Sequence, residues 1–424
     1  MYKKYTLDNG IRVVMEDISY VNSVSIGVWV DNGSIKEDKH LNGISHFIEH
    51  MLFKGTSNRT ARQIAETIDN IGGQINAFTS KEYTCFYAKV IDSHLSIAID
   101  VLADMINNSL FSEEDIEKEK SVVIEEINMY EDSPEDVVYD LLAETMFENT
   151  SLSLPILGTV DTLNSITREK LIDYFNNNYT VENLVISIAG NIKVDETIEL
   201  LEKKFGILKH NSDKNNNIAD SIKFTQKIRG KYKKTEQLNF CIGMEGIPCG
   251  NDDIYSLLVL NNIFGGSMSS RLFQKIREEK GLVYSVYSHP SSYKNIGTFT
   301  IYAGLNPKQI YNVVNIIKND IEELKLNLIT IDELEKSKEQ LKGNYILGLE
   351  STSSRMAEIG KSELILGKIC SPKEILEKID KVTLEDVKET IDKIFNYNKF
   401  NIAYVGNITN KEAMENKLKN ILFN

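Results

Sequence analysis

At roughly 100–200 residues per domain, a chain of 424 residues makes about two to four domains. Its 42% hydrophobic and 26% charged composition is that of a globular protein, which excludes disorder, collagen and coiled coil as descriptions of the whole. Lys and Arg number 48 against 62 Asp and Glu, a net charge of −14; that balance argues against nucleic acid held through its phosphates and suits solubility or the attraction of basic peptides. Cys85, Cys241, Cys249 and Cys370 form no C-x-x-C pair, so neither thiolate zinc nor a disulfide framework is expected.

The first residues, MYKKYTLDNGIRVVME, turn polar quickly and contain no apolar signal core. No stretch approaches the roughly 18 apolar residues of a membrane span. The expectation is a soluble protein of a reducing cytoplasm, with no membrane and no nucleic-acid partner. VNSVSIGVWV (21–30) reads as a strand, and residues 41–54 carry apolar groups at helical spacing. INAFTSKEYTCFYAKV (75–90) is β-branched and aromatic, with a turn near Ser80-Lys81. Residues 95–108 and 113–131 read as helices, the second capped by Ser112. LVISIAG (184–190) reads as a closing strand.

The two halves of the chain repeat one another. Gly-Asn-Ile at 190–192 recurs at 406–408, an offset of 216. SEEDIEKEK (112–120) recurs as TIDELEKSK (330–338), an offset of 218, and Tyr87-Ala88 recurs as Tyr302-Ala303, an offset of 215. Near-constant offsets at separate places mark an internal duplication. The polar stretch 209–221 reads as a connector. The domains expected are 1–210, a linker at 211–227, and 228–424. The interleaved strands and helices predict an α+β fold: two homologous domains, each a mixed or antiparallel sheet covered by helices.

Of six histidines, two bracket a glutamate as His46-Phe47-Ile48-Glu49-His50. On a helix, positions i and i+4 share a face, so both imidazoles can reach one zinc ion. Glu49 flanks that face and is placed to take a proton from a water held at the same site. This is the H-x-x-E-H order. A third ligand is needed, with an open position for water. The remaining histidines are scattered, which favours a carboxylate. Helix 113–131 offers Glu119 and Glu126 on one face, and Glu125 and Glu126 follow the apolar run Val122-Val123-Ile124.

GISHFIEHMLFKGT (43–56) resembles the signature of the pitrilysin-type inverzincins, in particular the mitochondrial processing peptidase branch. The resemblance extends over INAFTSKEYT (75–84), EKSVVIEEINMYEDSPEDVV (119–138), PILGT (155–159) and the duplicated half. It implies a zinc endopeptidase with one zinc per chain held by His46, His50 and Glu126. Glu49 matches the catalytic base, and Glu119 an acidic residue behind the ligands. Asn76 and Ala77 match the edge strand to which extended peptide substrates add. In the second half, His46, Glu49, His50 and Glu126 fall on Asn262, Gly265, Gly266 and Asn344, so the duplicate has lost the metal site. It carries instead SSRLFQKIREEKGLVYSVYS (269–288), whose Arg277 and Tyr284 match a pair that contacts substrate and the oxyanion region across a closed chamber. Two domains per chain imply a homodimer to close that chamber. The alternative is a non-catalytic scaffold or partner subunit of a processing-peptidase-like complex.

Overall fold

A computed structural model of the protein describes residues 2–208, 210 and 222–423. Runs of Val, Ile and Ala form the strands of two sheets. The first holds β1 (Tyr2–Thr6), β2 (Arg12–Asp17), β3 (Ser23–Val30), β4 (Gln74–Thr79), β5 (Thr84–Ile91) and β6 (Leu184–Gly190), in the order β1-β2-β6-β3-β5-β4. The second holds β7 (Lys227–Tyr232), β8 (Leu238–Gly246), β9 (Val283–Ser292), β10 (Gly297–Leu305) and β11 (Asn401–Gly406), in the order β7-β11-β8-β10-β9. β2 pairs with β6 in parallel, as β7 does with β11, and the other pairings are antiparallel. Without β1, the first sheet has the topology of the second. The fold is α+β, and the duplication seen in the sequence is a duplication of topology. Gly190, the first residue of the repeated Gly-Asn-Ile, ends β6 with φ +143°, and a Cβ there would lie 2.3 Å from the Ser23 carbonyl oxygen.

The central strands are buried on both faces, so they read as apolar runs rather than as alternating ones. On one face of the first sheet, Val13, Ile26, Val28, Phe86 and Ile186 share a core with Phe47 and Ile48 of helix Ile44–Leu52 and with Ile99 and Leu102 of helix Leu95–Asn108. The other face presents Val14, Trp29, Cys85, Val185 and Ala189, and Met356, Ile359 and Leu364 cover it. Those three residues lie on helix Thr352–Leu366, from the second half of the sequence.

The compact units therefore do not follow the two repeats at every point. Ile346–Ser371 belongs to the first unit, and Met129–Ser153, with helix Pro134–Met146, belongs to the second. Each repeat supplies the helix that covers the other's sheet. In the second unit, a Cβ on Gly243 would lie 2.4 Å from Met146 Sδ, which shows how closely that helix lies on β8. Ion pairs flank this packing: Lys227–Glu148 at 2.8 Å, Arg229–Glu144 at 2.5 Å and Lys231–Glu131 at 2.7 Å. Such partly exposed pairs contribute about 0–1 kcal/mol each, against about 1.5–3 kcal/mol for one buried Leu, Ile or Met. Apolar burial decides which sheet a helix covers, and an amphipathic pattern does not name its sheet. Of the expected linker, 211–221 lie outside the described residues, and Lys227 already opens β7.

At Gly360 the exchanged helix lies close against the first sheet. A Cβ there would lie 2.2 Å from Trp29 Nε1 and 2.6 Å from Ser187 Oγ. Trp29 Nε1 donates to that hydroxyl at 2.8 Å. Gly360→Val is expected to cost about 1–3 kcal/mol, the range for overpacking a filled core. Denaturant unfolding checks this, and an unchanged midpoint would contradict the close seating of the helix.

Candidate metal centre

Helix Ile44–Leu52 has one apolar stripe. Ile44, Phe47, Ile48, Met51 and Leu52 enter the core, which leaves His46, Glu49 and His50 on the opposite side. Helix Glu113–Asp132 faces it and is anchored by Ile116 and Val123. That anchoring turns Glu119 and Glu126 toward the histidines, whereas Glu125 points to solvent. Glu126 Oε2 lies 3.4 Å from His50 Nε2 and 3.7 Å from His46 Nε2. Tetrahedral zinc with ligand bonds of about 2.0–2.1 Å separates its ligand atoms by about 3.3–3.4 Å. Two imidazole nitrogens and one carboxylate oxygen, all within 4.8 Å of one another, are a donor set that fits such an ion. Among the described residues, this is the one group of three such side chains close enough to share an ion.

The supports of the two imidazoles differ. His50 Nδ1 lies 2.9 Å from Glu119 Oε1, which assigns the proton to Nδ1 and turns Nε2 toward Glu126. Glu119 is buried, and its other oxygen pairs with Lys54 Nζ at 2.5 Å. His46 Nδ1 is buried with no hydrogen-bond partner among the described residues. Burial, with the charge of His50 adding to it, drives His46 down to about 4 against the pull of Glu126. Burial also opposes charge on His50, but Glu119 and Glu126 outweigh it and lift the group to about 9. Hydrogen bonding from His50 holds Glu126 below the ordinary carboxylate range.

Glu49 is mostly buried, which pushes its carboxyl upward against the hydrogen bond from Thr79 Oγ1 to Oε2 at 2.5 Å. Thr79 ends β4, the outermost strand of the first sheet. Alternation along β4 puts Ala77 and Thr79 on one face and Asn76 on the other. Asn76 is exposed, stands opposite Tyr87 of β5, and accepts from the Ala77 N–H through Oδ1 at 2.8 Å. Sequence reasoning missed Thr79 and Lys54. The strand period could have flagged Thr79 as sharing a face with Ala77, but nothing in the spacing pairs Lys54 with Glu119.

The second unit repeats this frame with different contents. Buried Lys120, paired with Glu117 at 2.8 Å, recurs as buried Lys338, paired with Glu335 at 3.1 Å. At the position matching His46, Asn262 Nδ2 donates to Ser337 Oγ at 3.2 Å and to Gln340 Oε1 at 3.1 Å. Arg277 and Tyr284 lie in this unit and are not part of the His46–His50–Glu126 group. Arg277 sits on helix Phe273–Glu278, its guanidinium over the Phe273 ring at 4.9 Å. Tyr284 of β9 is 73% exposed, so it is not a core tyrosine.

Comparison with known proteins agrees with this architecture. Residues 12–160 match the family described as insulinase (peptidase family M16), and residues 165–341 match the peptidase M16 inactive domain. An uncharacterized zinc protease of Bacillus subtilis is 50% identical over 395 residues, covering 93% of this chain and 96% of that protein. One of Streptomyces coelicolor is 39% identical over 419 residues, covering 97% of this chain and 91% of its own. A protease from Helicobacter pylori of known structure has the same fold, with TM-score 0.90 at 22% identity over 96% of this chain and 99% of that one. The chain belongs to peptidase family M16, and its second half is of the family's inactive-domain type.

Were zinc to bind through His50 Nε2, the raised His50 value would set a pH dependence for its uptake. Below about 9 the metal-free imidazole holds two protons, and ligation through Nε2 must displace one. His46, at about 4, has no proton to lose at neutral pH. Zinc affinity is therefore expected to rise about tenfold per unit between about pH 6 and 8. Chelator competition across that range measures the slope, and a flat profile would contradict the assignment of His50 as a ligand.

Proposed function

We propose that the protein is a zinc-dependent endopeptidase that cleaves unfolded or short extended peptides. The observation that carries this reading is the 3.4 Å and 3.7 Å spacing of Glu126 from the two histidines, with Glu49 beside them. In this reading His46, His50 and Glu126 are the ligands, one zinc per chain. A bound zinc supplies Lewis acidity toward the scissile carbonyl and toward the attacking water. Glu49 takes the proton of that water and passes it to the leaving amine. Its burial suits this work, because a carboxyl held above its usual range can keep a proton between the two steps. Thr79 occupies Oε2 and leaves Oε1 for the transfer. The substrate backbone adds to the free edge of β4 at Asn76 and Ala77, which gives affinity with little reading of side chains. Arg277 and Tyr284 supply donors for the oxyanion.

The active unit in this proposal is a homodimer of the processing-peptidase-like kind. Zinc ligands lie in the first half and the Arg–Tyr pair in the second, so a second copy completes each site and closes the chamber. The protein works in the cytoplasm in this reading, where four cysteines outside any disulfide suit a reducing compartment. No described helix is long and apolar enough to cross a membrane. A non-catalytic partner subunit would have no use for a complete ligand set with a base beside it.

Glu49→Gln is expected to keep zinc and fold yet lose at least about 10²-fold in kcat. A quenched extended peptide reads this out, and near wild-type turnover would assign the base elsewhere. For the dimer, inactive Glu49→Gln and Tyr284→Phe chains are mixed under subunit exchange. Shared sites predict that activity reappears, because one site of each mixed dimer then carries neither lesion. A mixture that exchanges freely and stays inactive would contradict sharing.

A further inference from the structure

His46 is the third residue of its helix, in the turn where backbone N–H groups lack intrahelical acceptors. The N-cap residue is Gly43, which has no side chain to accept from them. Glu37, outside the helix, takes that place. Its Oε2 accepts from the Gly43 N–H at 2.7 Å and from Asn42 Nδ2 at 3.0 Å, and its Oε1 accepts from the Ser45 N–H at 2.8 Å. The carboxylate is only 4% exposed. Every one of these partners is a donor, which an acceptor-only carboxylate satisfies and an amide cannot.

The same turn is fixed from other directions. Asn42 Nδ2 also donates to the Pro155 carbonyl at 2.8 Å, and Asn32 Nδ2 donates to Ser45 Oγ at 3.1 Å. Gly43 has φ +94°, and a Cβ there would lie 2.6 Å from the Leu157 carbonyl oxygen. His50 has a direct side-chain partner in Glu119, whereas His46 Nδ1 has none among the described residues. The aim of the His46 ring therefore depends on its backbone.

We propose that Glu37 is the positioning residue of His46: it holds the first turn of the metal-binding helix, and so the direction of the imidazole, as Glu119 holds His50 through a hydrogen bond. This rests on the reading of His46 as a zinc ligand. Glu37 touches neither the ion nor the substrate. Its loss acts on the metal through geometry, so the metal's own release and spectrum report it.

The test compares wild-type protein with Glu37→Gln, which turns a donor toward donors, and Glu37→Asp, which keeps the charge on a shorter arm. Gly360→Val, on the other face of the same sheet, is the control for lost stability. Zinc release to a chromogenic chelator and the visible bands of the cobalt-loaded protein are measured. Glu37→Gln is expected to release zinc about 10–100-fold faster, the range for removal of a group supporting a ligand, with altered cobalt bands. Glu37→Asp is expected to fall between it and wild type, and Gly360→Val to release zinc at the wild-type rate. Wild-type release and bands in both Glu37 variants would overturn the proposal, as would equal acceleration by Gly360→Val. If Glu37→Gln does not fold, Glu37→Asp decides alone: wild-type release there refutes the role. A wild-type protein that takes up no zinc would refute the underlying metal reading, a result distinct from a loaded variant with unchanged release.

Discussion

Glu126 approaches two imidazole nitrogens at 3.4 Å and 3.7 Å, and much of the first unit serves to hold that triangle. Two histidines and two glutamates in a partly buried site are costly to bring together without a cation. The protein meets the cost with a chain of partners. Lys54 pairs with Glu119, Glu119 holds His50, and His50 faces Glu126. The apolar faces of two helices set the approach, since Phe47 and Ile48 on one and Ile116 and Val123 on the other share a single core. The same rigid frame places Thr79, at the end of the edge strand, against Glu49.

The helix that carries His46, Glu49 and His50 was legible because its information is local. His46, Glu49 and His50 lie within five residues, and helical spacing alone puts the histidines on one face. The acidic helix was legible as a helix, but its residues left Glu119, Glu125 and Glu126 all open as ligands, and the family resemblance singled out Glu126. The structure separates them by burial: Glu119 is buried, Glu126 half-buried and Glu125 exposed. The Thr79–Glu49 and Glu37–Ser45 contacts had no such signature, because each joins a loop or strand end to a helix without a fixed period. The strands announced themselves as apolar runs. Burial on both faces produces such a run, and it hides which helices cover each face. For that reason the exchange of helices Pro134–Met146 and Thr352–Leu366 was not readable in advance.

The duplication shows which features belong to the fold and which to the chemistry. Both long helices keep a lysine paired three residues back, Lys120 with Glu117 and Lys338 with Glu335. The residue just before that lysine differs. Glu119 in the first helix is a carboxylate that holds His50, whereas the matching Ser337 is neutral and hydrogen-bonds Asn262. Once the two histidines are absent, a buried carboxylate would stand uncompensated, and neutral groups that satisfy one another are the stable replacement. The second unit thus keeps the sheet and the helices, and has no group of side chains close enough to share a metal ion among its described residues.

The central claim is that His46, His50 and Glu126 bind one zinc ion. X-ray absorption at the zinc edge of the loaded protein tests it most directly. Four light-atom ligands at about 2.0–2.2 Å are expected, with the outer-shell scattering of two imidazoles and no sulfur. A sulfur shell, or a spectrum without imidazole scattering, would contradict it.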